Sequence, residues 1–245
     1  MQGSEEKRWS YLVAGAVILA VWQVLAYFVE SPALPPPYIV LHSFISQLNK
    51  IAVHMLISAY RVIYSILLAL SLAIPIGLSC HEKSVDRFVA PFLYLLYPIP
   101  HIVLLPLIIL LFGIGDLSKI ALIGMIVFFQ ILVTTRDAAR NVDSYYVYSL
   151  LSLGASKKDV YKHVVLPASL PKILTALRIS VGTAIAVLFF AESFATTAGL
   201  GYLIMMAWSK ADYVSLYAGI VAMALLGFSL YIALEAVEKR LCRWV

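Results

Sequence analysis

Charge is what this sequence has least of. Asp, Glu, Lys and Arg supply 13% of its 245 residues, about half the share that coats a water-soluble domain. Hydrophobic residues supply 62%, and the mean hydropathy is +0.94. A soluble globular domain is therefore excluded. Cysteine is scarce too. Cys80 and Cys242 lack metal-ligand spacing and make no disulfide framework; both are expected as reduced, small apolar fillers. His54, His81, His101 and His163 are scattered, without the spacing a metal requires. No Ser/His/Asp or Cys/His set can be placed together. No catalytic residue, metal or cofactor is therefore assigned to the chain, and it is not expected to be an enzyme. The net charge of +5 is not a nucleic-acid signal, because the basic residues form no face or stripe.

What is present is a series of long apolar runs. A spanning helix needs about 20 such residues, since lipid offers the backbone no hydrogen-bond partner. Six spans are predicted, over residues 9–29, 59–80, 88–112, 117–133, 173–191 and 213–237, which makes the chain an all-α polytopic membrane protein with a single domain. The first run is longer than a usual signal core and is read as a retained span. The second lies in a stretch that would be about 45 Å long as one helix, and Arg61 is placed near its outer boundary, where it can snorkel. The third is interrupted by Pro91, Pro98, Pro100 and Pro106. Between the first two runs, Pro32, Pro35, Pro36 and Pro37 exclude regular helix. Residues 192–212 are mixed, with Gly199 and Gly201 as breakers.

Orientation follows from Lys and Arg. With both termini on one side, all but four of the 18 basic residues, Lys7 and Arg8 among them, fall on that side. Lys50, Lys119 and Lys210 fall on the other, and Arg61 stands at a boundary. The termini and residues 134–172 are thus expected in the cytoplasm.

That cytoplasmic stretch carries most of the information. Asp143 can cap a helix from Ser144, and Gly154 can end it. Ser156, Lys157, Lys158 and Asp159 read as a capping box opening a second short helix. Leu166-Pro167 is expected to close it, and Leu170-Pro171 to add a second break. The expected product is a rigid helix–Gly–helix elbow, suited to carrying force between a soluble partner and the spans.

Gly154, the nine residues after it, then Val164, Val165, Leu166 and Pro167 resemble the EAA-loop signature of bacterial ATP-binding-cassette (ABC) importer permeases. The EAA triplet itself is replaced by Tyr148-Ser149-Leu150. The blocks Tyr97-Pro98-Ile99-Pro100, Phe112-Gly113-Ile114-Gly115-Asp116, Ala191-Glu192, Gly199-Leu200-Gly201 and Glu238-Lys239-Arg240-Leu241 with Trp244 are similar to the nitrate/sulfonate/bicarbonate/taurine branch. The resemblance implies a type I ABC importer permease fold in the bacterial inner membrane. It implies two partner ATPases that bind the ATP and Mg²⁺, an outer substrate-binding protein, and two permease subunits, a homodimer by default. Leu153, Gly154, Ala155, Ser156, Lys157, Lys158 and Asp159, with Leu166 and Pro167, become the candidate ATPase-coupling residues.

Pro98, Pro100 and Pro106 are candidate pathway residues, because broken helices are tolerated where backbone lines a cavity. Glu192 is the fourth: a carboxylate at membrane depth is costly and often functional, although an outer, solvated position stays open. A bare carboxylate suits an anion pathway poorly, which favours pairing or gating over substrate contact. Arg61 is read as an interface anchor ahead of an anion ligand, and the lysines of the elbow as topology markers or ATPase contacts. A stand-alone secondary transporter or channel is the alternative. It would need coupling charges inside the spans.

Overall fold

The computed structural model describes residues 2–194 and 196–242, with side chains from Trp9 onward. Expectations placed on the side chains of Lys7 and Arg8, and on Arg243 and Trp244, lie outside the described residues. Among those described the chain is helical and contains no strand. Five helices are long and apolar enough to cross a membrane, and six spans result if one bent pair counts as a span.

The order is α1 (Gln2–Val29), α2 (Pro37–Ser46), α3 (Leu48–Ser79), α4 (Lys83–Leu96), a 3₁₀ turn (His101–Leu104), α5 (Leu105–Phe112) and α6 (Asp116–Arg140). There follow α7 (Ser144–Ser152), α8 (Lys157–Val160), a π turn (Tyr161–Val165), α9 (Leu166–Ser193), α10 (Leu200–Ser209) and α11 (Tyr213–Leu241).

The interior is built by α3, α6 and α9. Val62, Ile66, Ala69 and Ala73 recur at helical spacing and are buried, while Ile63, Tyr64 and Leu67 on the other side of α3 are exposed. A helix apolar all round, with one face packed and one bare, is what a lipid-facing span requires. Lipid removes the hydrophobic drive between helices, so small residues and close backbone approach hold them together. Gly77 shows this: a Cβ there would lie 2.6 Å from the Cβ of Thr135. By contrast, α1 is peripheral. Among its residues from Trp9 onward only Ala26 is buried, and it is tied in by Trp22, whose indole stacks on Tyr217 and donates to the Pro35 carbonyl at 3.1 Å.

Several expected boundaries move, for physical reasons. The stretch 134–172 is not all loop: α6 continues to Arg140, because Thr134 turns its hydroxyl back onto the Gln130 carbonyl at 3.1 Å instead of breaking the helix. Leu166-Pro167 does not close the second short helix, and Leu170-Pro171 makes no break. The helix passes through the π turn into α9, with the Leu166 amide bonded five residues back to Tyr161. The widened turn relieves the clash of the Pro167 ring with the preceding carbonyls. Pro98 and Pro100 do break the third run, whose halves meet at 74°. Pro106 breaks nothing; it stands in the first turn of α5, where a missing N–H costs little. The ten residues of α10 reach about 15 Å, too short to cross a bilayer.

Candidate functional site

The elbow is made by two opposed caps. Asp143 accepts from the Tyr145 amide at 2.8 Å and starts α7. At its end, the Gly154 amide donates to Leu151 O at 2.9 Å and the Ala155 amide to Leu150 O at 3.3 Å. This crossed pair is a Schellman stop, which needs a left-handed residue; Gly154 supplies it with φ +83°. Two residues on, the Ser156 hydroxyl and amide and the Asp159 carboxylate and amide close a full capping box around the start of α8. The turn therefore has little freedom. Leu153, Gly154, Ala155, Ser156, Lys157, Lys158 and Asp159 lie together on it, with Leu166 and Pro167 beyond the π turn.

The outer side of the elbow is bare. No residue of α7 is buried, and Leu153 is 84% exposed, flanked by exposed Tyr145, Tyr146 and Tyr148. Its inner side is anchored. Val160, Val165 and Ile173 form a small apolar core with Leu78 and Ala139. Tyr161 donates to Ser79 O at 3.1 Å, and His81 Nδ1 meets Ala139 O at 3.0 Å. Close by, buried Asp86 of α4 takes Arg136 at 2.6 Å and also Arg140, both from α6. Arg136 lies over the Tyr94 ring. The sequence offered Arg136 and Arg140 only as topology charges and gave Asp86 no role.

At the far end of α9 lies a second assembly. Glu192 is fully buried. Its carboxylate accepts from Arg61 at 2.7 Å, from the Gly201 amide at 2.9 Å, and lies 2.8–2.9 Å from the Ser58 hydroxyl. The Leu200 amide donates to Ser58 Oγ at 2.8 Å. Arg61 also reaches Asp116 at 2.6 Å and Ala198 O at 2.8 Å. Buried Lys119 donates to Ile114 O. So Arg61, expected to snorkel at an interface, is 4% exposed and turned inward. It joins α3 to α6, α9 and the segment just before α10. Glu192 is not solvated either. A Cβ on Gly199, at φ +116°, would strike the Glu192 carboxylate, which explains the glycine.

The proposed pathway residues are not brought together. Pro98 and Pro100 are exposed at the break. Pro106 lines an apolar cavity of about 810 Å³ with Ile109, Phe190 and Phe194, and Glu192 does not line it. Sequence reasoning missed Ser58, Asp116 and His54, whose ring accepts from the Gly199 amide at 3.0 Å. A usable signal existed: Arg61, Asp116 and Glu192 are isolated charges in or beside apolar runs, and such charges seek one another. No group of three or more metal-ligating side chains occurs among the described residues.

Comparison with known proteins agrees with this architecture. The family described as "Binding-protein-dependent transport system inner membrane component" matches residues 55–243. The chain is 32% identical to the taurine transport system permease protein TauC of Escherichia coli, covering 94% of this chain and 87% of that protein. It is 32% identical to the putative aliphatic sulfonates transport permease protein SsuC of Bacillus subtilis, covering 95% and 86%. Among solved structures, an inward-facing form of the MetNI methionine ABC transporter aligns with a TM-score of 0.66 at 16% identity, covering 80% of this chain and 98% of that one; at that identity the likeness is one of fold. A multi-pass membrane protein with the type I importer fold, the chain belongs to the family of binding-protein-dependent transport system inner membrane components, the permease subunits of ABC importers.

Proposed function

We propose that this permease moves a small sulfonate, taurine or a related solute such as nitrate or bicarbonate inward by alternating access, powered by two partner ATPases docked on the elbow. The ATPases bind the ATP and Mg²⁺, and the chain itself binds neither. An outer binding protein delivers the solute, two copies of the chain line the pathway, and both termini face the cytoplasm. The substrate class is drawn from the taurine and sulfonate permeases that the chain resembles.

One observation carries the reading: the elbow is bare outside and anchored inside. Exposed Tyr side chains are the kind that fill a partner's groove and dominate its binding energy, and Leu153 adds apolar area beside them. The inner core of the elbow joins it to α3, α6 and α9. A push on Leu153 therefore moves packed helices as a body. The isolated charges of the stand-alone alternative are present, but they neutralise one another in a closed cluster.

The test is Leu153→Asp. A buried hot-spot contact is worth about 2 kcal/mol or more, roughly thirtyfold in affinity. The expected result is loss of ATPase co-purification and of uptake at an unchanged permease level. Full association together with full uptake would reject the elbow as the coupling contact.

A further inference from the structure

A shallow, open groove of about 470 Å³ runs between the second half of the elbow and the end of α3. Its floor is apolar, with Leu78 from α3 and Leu166 from the start of α9. The Tyr161 ring forms a wall, its hydroxyl held by Ser79 O. Lys158 and Lys162 stand one turn apart on the rim, both exposed.

The charges there do not cancel. Lys157, Lys158 and Lys162 meet two carboxylates, Glu82, engaged by Lys157 at 3.2 Å, and Asp159, held by the Ser156 amide and hydroxyl at 2.9 and 2.6 Å, so one positive charge is left over. Lys158 and Lys162 carry no ion pair among the described residues. The groove opens where the apolar run of α3 ends at Ser79, the level of a bilayer boundary. A soluble anion would use the lysines and leave the apolar floor bare. A zwitterionic lipid would use the floor and bring no net charge to the lysines. An anionic amphiphile uses both, and basic pockets beside spanning helices on the cytoplasmic side take such headgroups.

We propose that this groove binds one anionic phospholipid of the cytoplasmic leaflet, its phosphate between Lys158 and Lys162 and an acyl chain over Leu78 and Leu166. The site rests on the cytoplasmic placement of the elbow given above. Lys158 and Leu166 are thereby given to the lipid and not to the ATPase, whose contact stays on the outer side of the elbow around Leu153, and the bound lipid sets the depth at which that contact sits.

The experiment uses the full chain in phosphatidylcholine nanodiscs with spin-labelled phosphatidylglycerol as probe. Each lysine near the surface contributes about 1 kcal/mol toward an anionic lipid, so Lys158→Gln with Lys162→Gln is expected to weaken retention roughly thirtyfold. Arginine at both positions should restore it, and Lys50→Gln at the far end should leave it unchanged. Equal retention by wild type and the double glutamine variant would overturn the site. So would displacement of the probe by millimolar inorganic phosphate, which would mark a free-anion site. The Leu153→Asp chain is a separate arm. It severs the ATPase contact while leaving the groove, so retained lipid there separates a failure of docking from a failure of this site.

Discussion

Arg61 and Glu192 meet at 2.7 Å, with side chains 5% and 0% exposed, and link the middle of α3 to the end of α9. Asp116, half exposed, balances the second side of the guanidinium. Both carboxylate oxygens of Glu192 are also filled by Ser58 and the Gly201 amide. With buried Lys119 beside them the four charges sum to zero, and the Arg61–Glu192 contact itself is closed to solvent.

Removing one partner should be far worse than removing both. Glu192→Leu leaves a buried guanidinium short of its partner, and a loss of about 3–5 kcal/mol is expected. Arg61→Met with Glu192→Met should recover much of it, because the buried guanidinium and carboxylate go together and the half-exposed Asp116 is left with water and Lys119. Unfolding midpoints of the single and double variants in detergent check this. A double variant no better than the singles would show that the ion pair is not the source of the loss.

Gly199 and Gly201 should tolerate no side chain, for different reasons. Gly199 holds φ +116° beside the Glu192 carboxylate, and a Cβ on Gly201 would lie 2.6 Å from Glu192 Cβ and 2.9 Å from Phe189 O. Alanine at either position should cost on the order of 1–3 kcal/mol and loosen α10. Limited proteolysis between α9 and α10 reads this directly, with faster cleavage expected in both variants.

Gly154 has open space around it but a φ of +83°. The constraint is therefore backbone alone. Gly154→Val should cost about 1–2 kcal/mol at the turn and lower ATPase co-purification, while Gly154→Asn, which accepts that conformation, should keep it. Equal behaviour of the two variants would contradict the Schellman stop.

Asp212 caps α11 by accepting from the Ser215 amide at 3.0 Å. Its bonds to Ser215 hold the carboxyl below the usual carboxylate range. The folded value lies under the unfolded value of about 3.9. The cap is therefore at full strength above that pH and is lost as pH falls through the lowered value. Asp212→Ala should be less stable than wild type by about 1 kcal/mol at pH 7, and the gap should close on acidification. A gap that stays constant with pH would exclude the ionised cap as its cause.

Local chemistry makes much of this protein legible in its residues alone. Long runs without charge require spanning helices, because a bare backbone amide cannot face lipid. Asp143, Gly154, Ser156 and Asp159 specify their own caps within a few residues, so the elbow was legible before any coordinates. Proline marked the break at Pro98 and Pro100, but misled at Pro106, Pro167 and Pro171. A proline breaks a helix only if its neighbours cannot adjust, and a first-turn position or a π turn lets them.

Tertiary structure alone decided which distant charges meet. Arg61, Asp116 and Glu192 lie on three helices up to 131 residues apart in sequence, and nothing within any one helix tells an interface anchor from a buried pair. Burial depends on which faces of α3, α6 and α9 are turned together. That is settled by small-residue contacts such as Gly77 on Thr135 and by the cost of leaving a charge unpaired in a dry interior, both of which exist only once the helices pack.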